Sequence, residues 1–83
     1  MNPISLDAME DLLRSLVAAR LKIDAKSVPL DSIIEELGLD SIQVMQFMLE
    51  IEERYPSFRF TDPQVSELRS LRQLAKHLHL IAE

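Results

Sequence analysis

Within Glu35-Glu36-Leu37-Gly38-Leu39-Asp40-Ser41-Ile42, an Asp-Ser pair stands where a loop gives way to an apolar helical run reaching to about Tyr55. A serine there holds its hydroxyl at the positive end of a helix dipole, beside backbone N–H groups with no intrahelical partner. That setting favours a bound phosphate, so the chemistry expected at Ser41 is that of a phosphate ester. A second copy, Asp31-Ser32-Ile33, competes for the same reading. Only Ile33 to Leu37 separate Ser32 from Gly38, room for about one helical turn and little dipole. Ser32 therefore reads as an ordinary capping or loop residue.

Other chemistries find fewer of the residues they need. With no cysteine, the chain has neither a disulfide framework nor a thiol nucleophile, and any thioester chemistry requires a thiol from outside. His77 and His79, two apart on a helical stretch, face different sides, cannot share a metal and read as solvent-facing or packing residues. No histidine lies in the loop or the helix around Ser41 to act as a general base, which argues against an enzyme using Ser41 as nucleophile.

The elements that must position Ser41 follow from periodicity. Eighty-three residues, 47% hydrophobic and 28% charged, fit one small globular domain spanning 1–83. Four prolines, one glycine and little β-branched alternation predict an all-α fold. Asn2-Pro3, or Ser5, starts a first helix with Leu6, Met9, Leu13 and Leu16 on one face and Leu12, Val17 and Leu21 beside it, ending near Lys22. Ile23 to Leu39 has no sustained period and contains Pro29. Its apolar residues Ile23, Val28, Leu30, Ile33, Ile34 and Leu37 predict a long loop laid against the core, with room for a short turn of helix.

After Ser41, apolar residues recur at Val44, Phe47, Met48, Ile51 and Tyr55, the spacing of a buried helical stripe. Pro56 stops that helix, and Phe58-Arg59-Phe60 reads as an extended connector. Thr61-Asp62-Pro63 starts a short helix to about Leu68. Ser70 caps a last one carrying Leu71, Leu74, Ala75, Leu78 and Ile81. The expected architecture is a small four-helix bundle, with three longer helices, a short third one and a long structured loop before the second.

Charge is concentrated where the candidate site lies. The net charge is −5, yet residues 27–53 hold Asp31, Glu35, Glu36, Asp40, Glu50, Glu52 and Glu53 with no Lys or Arg, a local −7. That distribution argues against nucleic acid as a partner and suits either basic protein partners or a solvated acidic face. On the second helix Gln43, Gln46, Glu50 and Glu53 oppose the apolar stripe, and Ile42, Met45 and Leu49 lie between the two. Those three either widen the core face or form an exposed apolar patch. No run of about 18 apolar residues spans a membrane and no signal-peptide pattern opens the chain, so a cytoplasmic monomer is the expectation.

Leu37-Gly38-Leu39-Asp40-Ser41-Ile42, the Ile23-Asp24 approach to the loop, the helix to Tyr55 and the Leu71 to Leu78 pattern together resemble the acyl and peptidyl carrier proteins over nearly the whole chain. The resemblance implies a phosphopantetheine arm transferred from coenzyme A onto Ser41 by a phosphopantetheinyl transferase. The arm's thiol would carry acyl, aminoacyl or polyketide intermediates as thioesters. By the same resemblance Gly38, Leu39, Asp40 and Ile42 belong to the motif the transferase recognises, with Gly38 keeping side-chain bulk out of its way. Ile42, Met45, Leu49, Glu50 and Glu53 would then be read by partners: a loading ligase for acyl or aminoacyl groups, and synthases or other acyl-processing enzymes.

Carriers of bacterial fatty acid synthesis show acids two and five places after the serine, where this chain has Gln43 and Gln46. With the wording Val28-Pro29-Leu30-Asp31, this departure resembles free-standing carriers of polyketide or nonribosomal peptide assembly more closely. The alternative function is a small helical adaptor that binds proteins through its acidic second helix and is never modified.

Overall fold

The computed structural model describes residues 4–81. Ser5 opens the first helix, α1 (Leu6–Leu21), its side-chain oxygen accepting from the Ala8 N–H at 3.1 Å. The alternative start at Asn2-Pro3 lies outside the described residues. Lys22 ends α1 in the left-handed region at φ 59°, and its N–H donates to the Ala18 carbonyl. Met9, Leu13, Leu16, Val17 and Ala18 are buried, with Leu6, Leu12 and Leu21 half-buried beside them, so the stripe read from spacing is the core face.

Three further helices follow among the described residues: α2 (Ser41–Arg54), α3 (Pro63–Ser66) and α4 (Leu71–Ile81). Asp62 caps α3 ahead of Pro63 as the cap-then-proline signal predicts, accepting from the Gln64 N–H at 2.8 Å. This helix ends at Ser66 rather than near Leu68. The Glu67 and Leu68 N–H groups both donate to the Val65 carbonyl in a closing turn, before the chain pairs Ser70 with Ile33. Ser70 then caps α4 through the Gln73 N–H at 3.2 Å. α1 packs chiefly on α4, and Leu71, Leu74, Ala75 and Leu78 close the core with Phe47 and Ile51 of α2.

The long loop carries two single 3₁₀ turns, Ala25–Ser27 and Ile34–Glu36. Val28 and Ile34 anchor it in the core, as their apolar character predicts. Ile23 and Ile33 do not, being 47% and 36% exposed. Ile34 points inward, and its neighbour Ile33 in extended backbone must therefore point out. The loop is also tied by polar bonds. The Ile34 N–H donates to the Arg69 carbonyl at 2.7 Å and the Arg72 N–H to the Leu30 carbonyl at 3.0 Å. The Arg72 guanidinium reaches Asp31 at 2.6 Å and the buried Glu10 at 3.3 Å, linking loop, α4 and α1. Phe58 is fully buried, with the His77 ring edge-on to it at 6.1 Å, so His77 is a packing residue and His79 is exposed. No described helix is long and apolar enough to cross a membrane.

Candidate functional site

Ser41 is the first residue of α2 and is exposed. Asp40, immediately before it, is the N-cap, and its carboxylate accepts from the Gln43 N–H at 2.7 Å. Gln43 answers with its own side chain, its Oε1 accepting from the Asp40 N–H at 3.1 Å. This reciprocal capping box satisfies two of the donors a helix start leaves open, and it bypasses Ser41. The Val44 N–H bonds back to the Asp40 carbonyl at 2.9 Å, beginning the helical ladder. The N–H groups of Ser41 and Ile42 remain at the open end of the helix, with the Ser41 hydroxyl outside the cap.

The loop delivers the chain to this point through Gly38 and Leu39. Gly38 has φ +103°, a conformation that side chains rarely adopt. A Cβ there would meet only Leu21 Cδ2 at 3.5 Å, an ordinary contact, so glycine is required by backbone conformation and not by crowding. Leu39 is buried and fixes the loop's end against the core one residue before the cap. Phe47 and Ile51 do the same for the helix, both fully buried, while Val44, Met48 and Tyr55 are half-buried.

The question left by the apolar flank is answered by exposure. Ile42, Met45 and Leu49 are 69%, 55% and 45% exposed, so they form an outward-facing apolar strip running down α2 from beside Ser41. A core needing a wider face would have buried them, so of the two readings of this flank the exposed apolar patch is the one observed. The acids beside that strip are not equivalent. Glu53 is exposed. Glu50 is held on both oxygens, by Arg20 at 2.8 Å and by Arg54 at 3.6 Å. A shallow groove lined by Arg20, Gln46, Leu49, Glu50, Glu53 and Arg54 lies across this face.

Sequence reading missed three participants. Gln43 was legible, since an acid or hydroxyl at the N-cap with Glu or Gln three residues on is a capping-box signature. Arg20 and Arg72 were not, because each meets partners far away in sequence with no spacing rule to connect them. Asp31, the acid of the competing pair, is taken by Arg72. That hydrogen bond and the adjacent charge hold its carboxyl below the ordinary value, while the guanidinium is raised in turn. Ser32 is half-buried between Asp31 and the Ile34–Glu36 turn. Among the described residues no cluster of three His, Asp or Glu side chains could hold a metal ion.

Comparison with known proteins gives consistent matches. A family model described as a phosphopantetheine attachment site matches residues 11–78. An acyl carrier protein of Campylobacter curvus is 27% identical over 77 residues, covering 92% of this chain and 99% of that protein. One from Campylobacter concisus is 28% identical over 72 residues, 86% of this chain and 92% of its own. One from Campylobacter jejuni subsp. doylei is 41% identical over 46 residues, covering 54% and 60%.

Proposed function

Because this chain belongs to the phosphopantetheine-binding carrier family, we propose that Ser41 is its attachment residue and that its cargo is acyl groups held as thioesters and handed between partner enzymes. Carriers of this family deliver and do not catalyse, and a phosphopantetheinyl transferase and acyl-processing enzymes are the partners membership implies. The observation that carries the choice of serine is the exposed hydroxyl at the first residue of a 14-residue helix, outside a cap formed by its own neighbours.

The residues around Ser41 fit the group. The open helix end favours a phosphodiester there, and the N–H groups of Ser41 and Ile42 are donors left for it. When attached, the arm supplies the thiol that a cysteine-free chain lacks. The chain's own part is to expose one serine oxygen and keep it in fixed register. The Asp40 carboxylate accepts the Gln43 N–H through Oδ1 as the helix cap, and in this reading the transferase supplies the base that removes the serine proton.

Partners in this reading meet the strip Ile42, Met45 and Leu49, with Glu53 as a charge at its far end. Such a face suits brief, salt-sensitive complexes, as a carrier must leave each enzyme after its step. Gln43 and Gln46 support a carrier of polyketide or peptide assembly over one of fatty acid synthesis, in a cytoplasmic setting. Gln43's tie to the cap means that only Gln46 is free to act as a recognition difference.

Intact mass after incubation with coenzyme A and a broad-specificity transferase tests the reading. Wild type and Ser32→Ala gain one phosphopantetheine; Ser41→Ala gains none. Gain by Ser41→Ala moves the attachment elsewhere. An unchanged wild-type mass across several transferases favours the unmodified adaptor.

A further inference from the structure

Residues 27–53 hold seven acids and no base, and three of the acids, Glu50, Glu52 and Glu53, fall in the last turns of α2, which from charge alone reads as an acidic end to that helix. Folding changes that. Arg20, in the last turn of α1, crosses to α2 and donates from Nη2 to Glu50 Oε1 at 2.8 Å, while Nη1 donates to the Leu16 carbonyl at 3.3 Å. Arg54 approaches the other Glu50 oxygen at 3.6 Å. The Arg20 and Glu50 side chains are only 20% and 30% exposed, against the exposed Glu53 one turn on.

Arg20 Nε is buried with no hydrogen-bond partner in the chain, so the guanidinium is held from its two Nη groups. The guanidinium also lines the same groove as Leu49 and Glu53. We infer that Arg20 is a specificity-determining residue for partner choice: it occupies Glu50 and leaves Glu53 as the open acid of this face.

This rests on α2 being the face that partners read. A basic partner whose cation is aimed at position 50 meets a guanidinium already in place and must displace it. A partner whose cation falls opposite Glu53, with an apolar group for Leu49, meets no such competitor. The selection acts against one class of basic partner while keeping the other.

The probe is a phosphopantetheinyl transferase with a basic docking surface, used with coenzyme A on the full chain, with kcat/KM measured from carrier concentration. Arg20→Gln is expected to raise kcat/KM about threefold where Glu50 is present and clearly less in an Glu50→Gln background. Net charge changes equally in both backgrounds and Arg54 is present in both, so the difference between the two gains reports release of Glu50 from Arg20. Equal gains overturn the proposal, because they leave only the long-range charge. Arg20→Lys keeps the charge but loses the forked grip. It is expected to raise kcat/KM about twofold with helicity unchanged by circular dichroism. A value at or below wild type overturns the proposal, even where Arg20→Gln does not fold. Absence of loading in wild type is a separate result that overturns the carrier reading and this inference with it.

Discussion

Asp31-Ser32-Ile33 and Asp40-Ser41-Ile42 are the same tripeptide in two settings, and every residue in them does a different job. Asp31 faces out to an arginine 41 residues away and ties a loop to α4; Asp40 turns back three residues to cap the helix it precedes. Ser32 is half-buried before a three-residue turn, whereas Ser41 is exposed on the first residue of α2. Ile33 sits on the bridge to Ser70, and Ile42 begins an exposed apolar strip. What distinguishes the serines is therefore not their neighbours in sequence but the length of helix that follows. A long helix supplies a dipole, open N–H groups and a rigid mount; a single 3₁₀ turn supplies none of them.

The rigid mount is the part of this contrast with the largest energetic consequence. α2 is held mainly by Phe47 and Ile51, both fully buried in the core. Phe47→Ala is expected to destabilise the fold by about 3–5 kcal/mol, a large share of what so small a domain has. Urea denaturation measures it. A loss under about 1 kcal/mol would mean that α2 is held by something other than its apolar stripe, and the stated difference between the two serines would lose its basis.

Much of this was legible before folding. The all-α class, the helix starts at Asp62 and Ser70, and Ser5 as one of the two starts allowed for the first helix all follow from local rules: caps, prolines and helical period. Such rules act over three or four residues, and a sequence displays that range directly. Ile23 and Ile33 broke the reading because a loop has no period to say which side faces in. Met45 and Leu49 could not be assigned, since how wide a face the core needs depends on how closely the other helices pack. The partners of Arg20 and Arg72 lie 30 and 41 residues away, and a count of charges by segment hid them. The −7 segment is accurate as a sum and misleading as a surface, because α1 and α4 bring bases to two of its acids.

Removing each aspartate separates the two settings more finely. Asp40→Ala deletes the cap and should destabilise the protein by about 1 kcal/mol, with Gln43→Ala acting in the same direction by less. Asp31→Ala removes a surface ion pair and leaves α2 capped. Loading of Ser41 by a transferase should therefore slow in Asp40→Ala and keep its wild-type rate in Asp31→Ala. Rates measured on both, at a temperature where both are folded, decide it. Equal slowing in the two variants would show that Ser41 depends on the loop's anchorage as much as on its own helix start.

The smallest expected effect is the pH dependence of the Asp31 tie. Hydrogen bonding to Arg72 lowers the Asp31 carboxyl from its ordinary value of 3.8 in the folded protein. A carboxyl depressed on folding contributes stability that is present in full above the unfolded value. That contribution is lost as pH falls through the lower, folded one. Wild type should thus be more stable than Asp31→Asn at pH 7, with the gap closing only once pH drops below the ordinary carboxylate range. The pair is exposed to solvent, so salt should narrow the gap at neutral pH as well. Parallel denaturation of the two proteins from neutral to acid pH, at low and high salt, measures this. A gap that persists under strong acid, or that ignores salt, would mean that the carboxylate's charge is not what ties the loop to α4. The contrast between the two aspartates would then rest on shape alone.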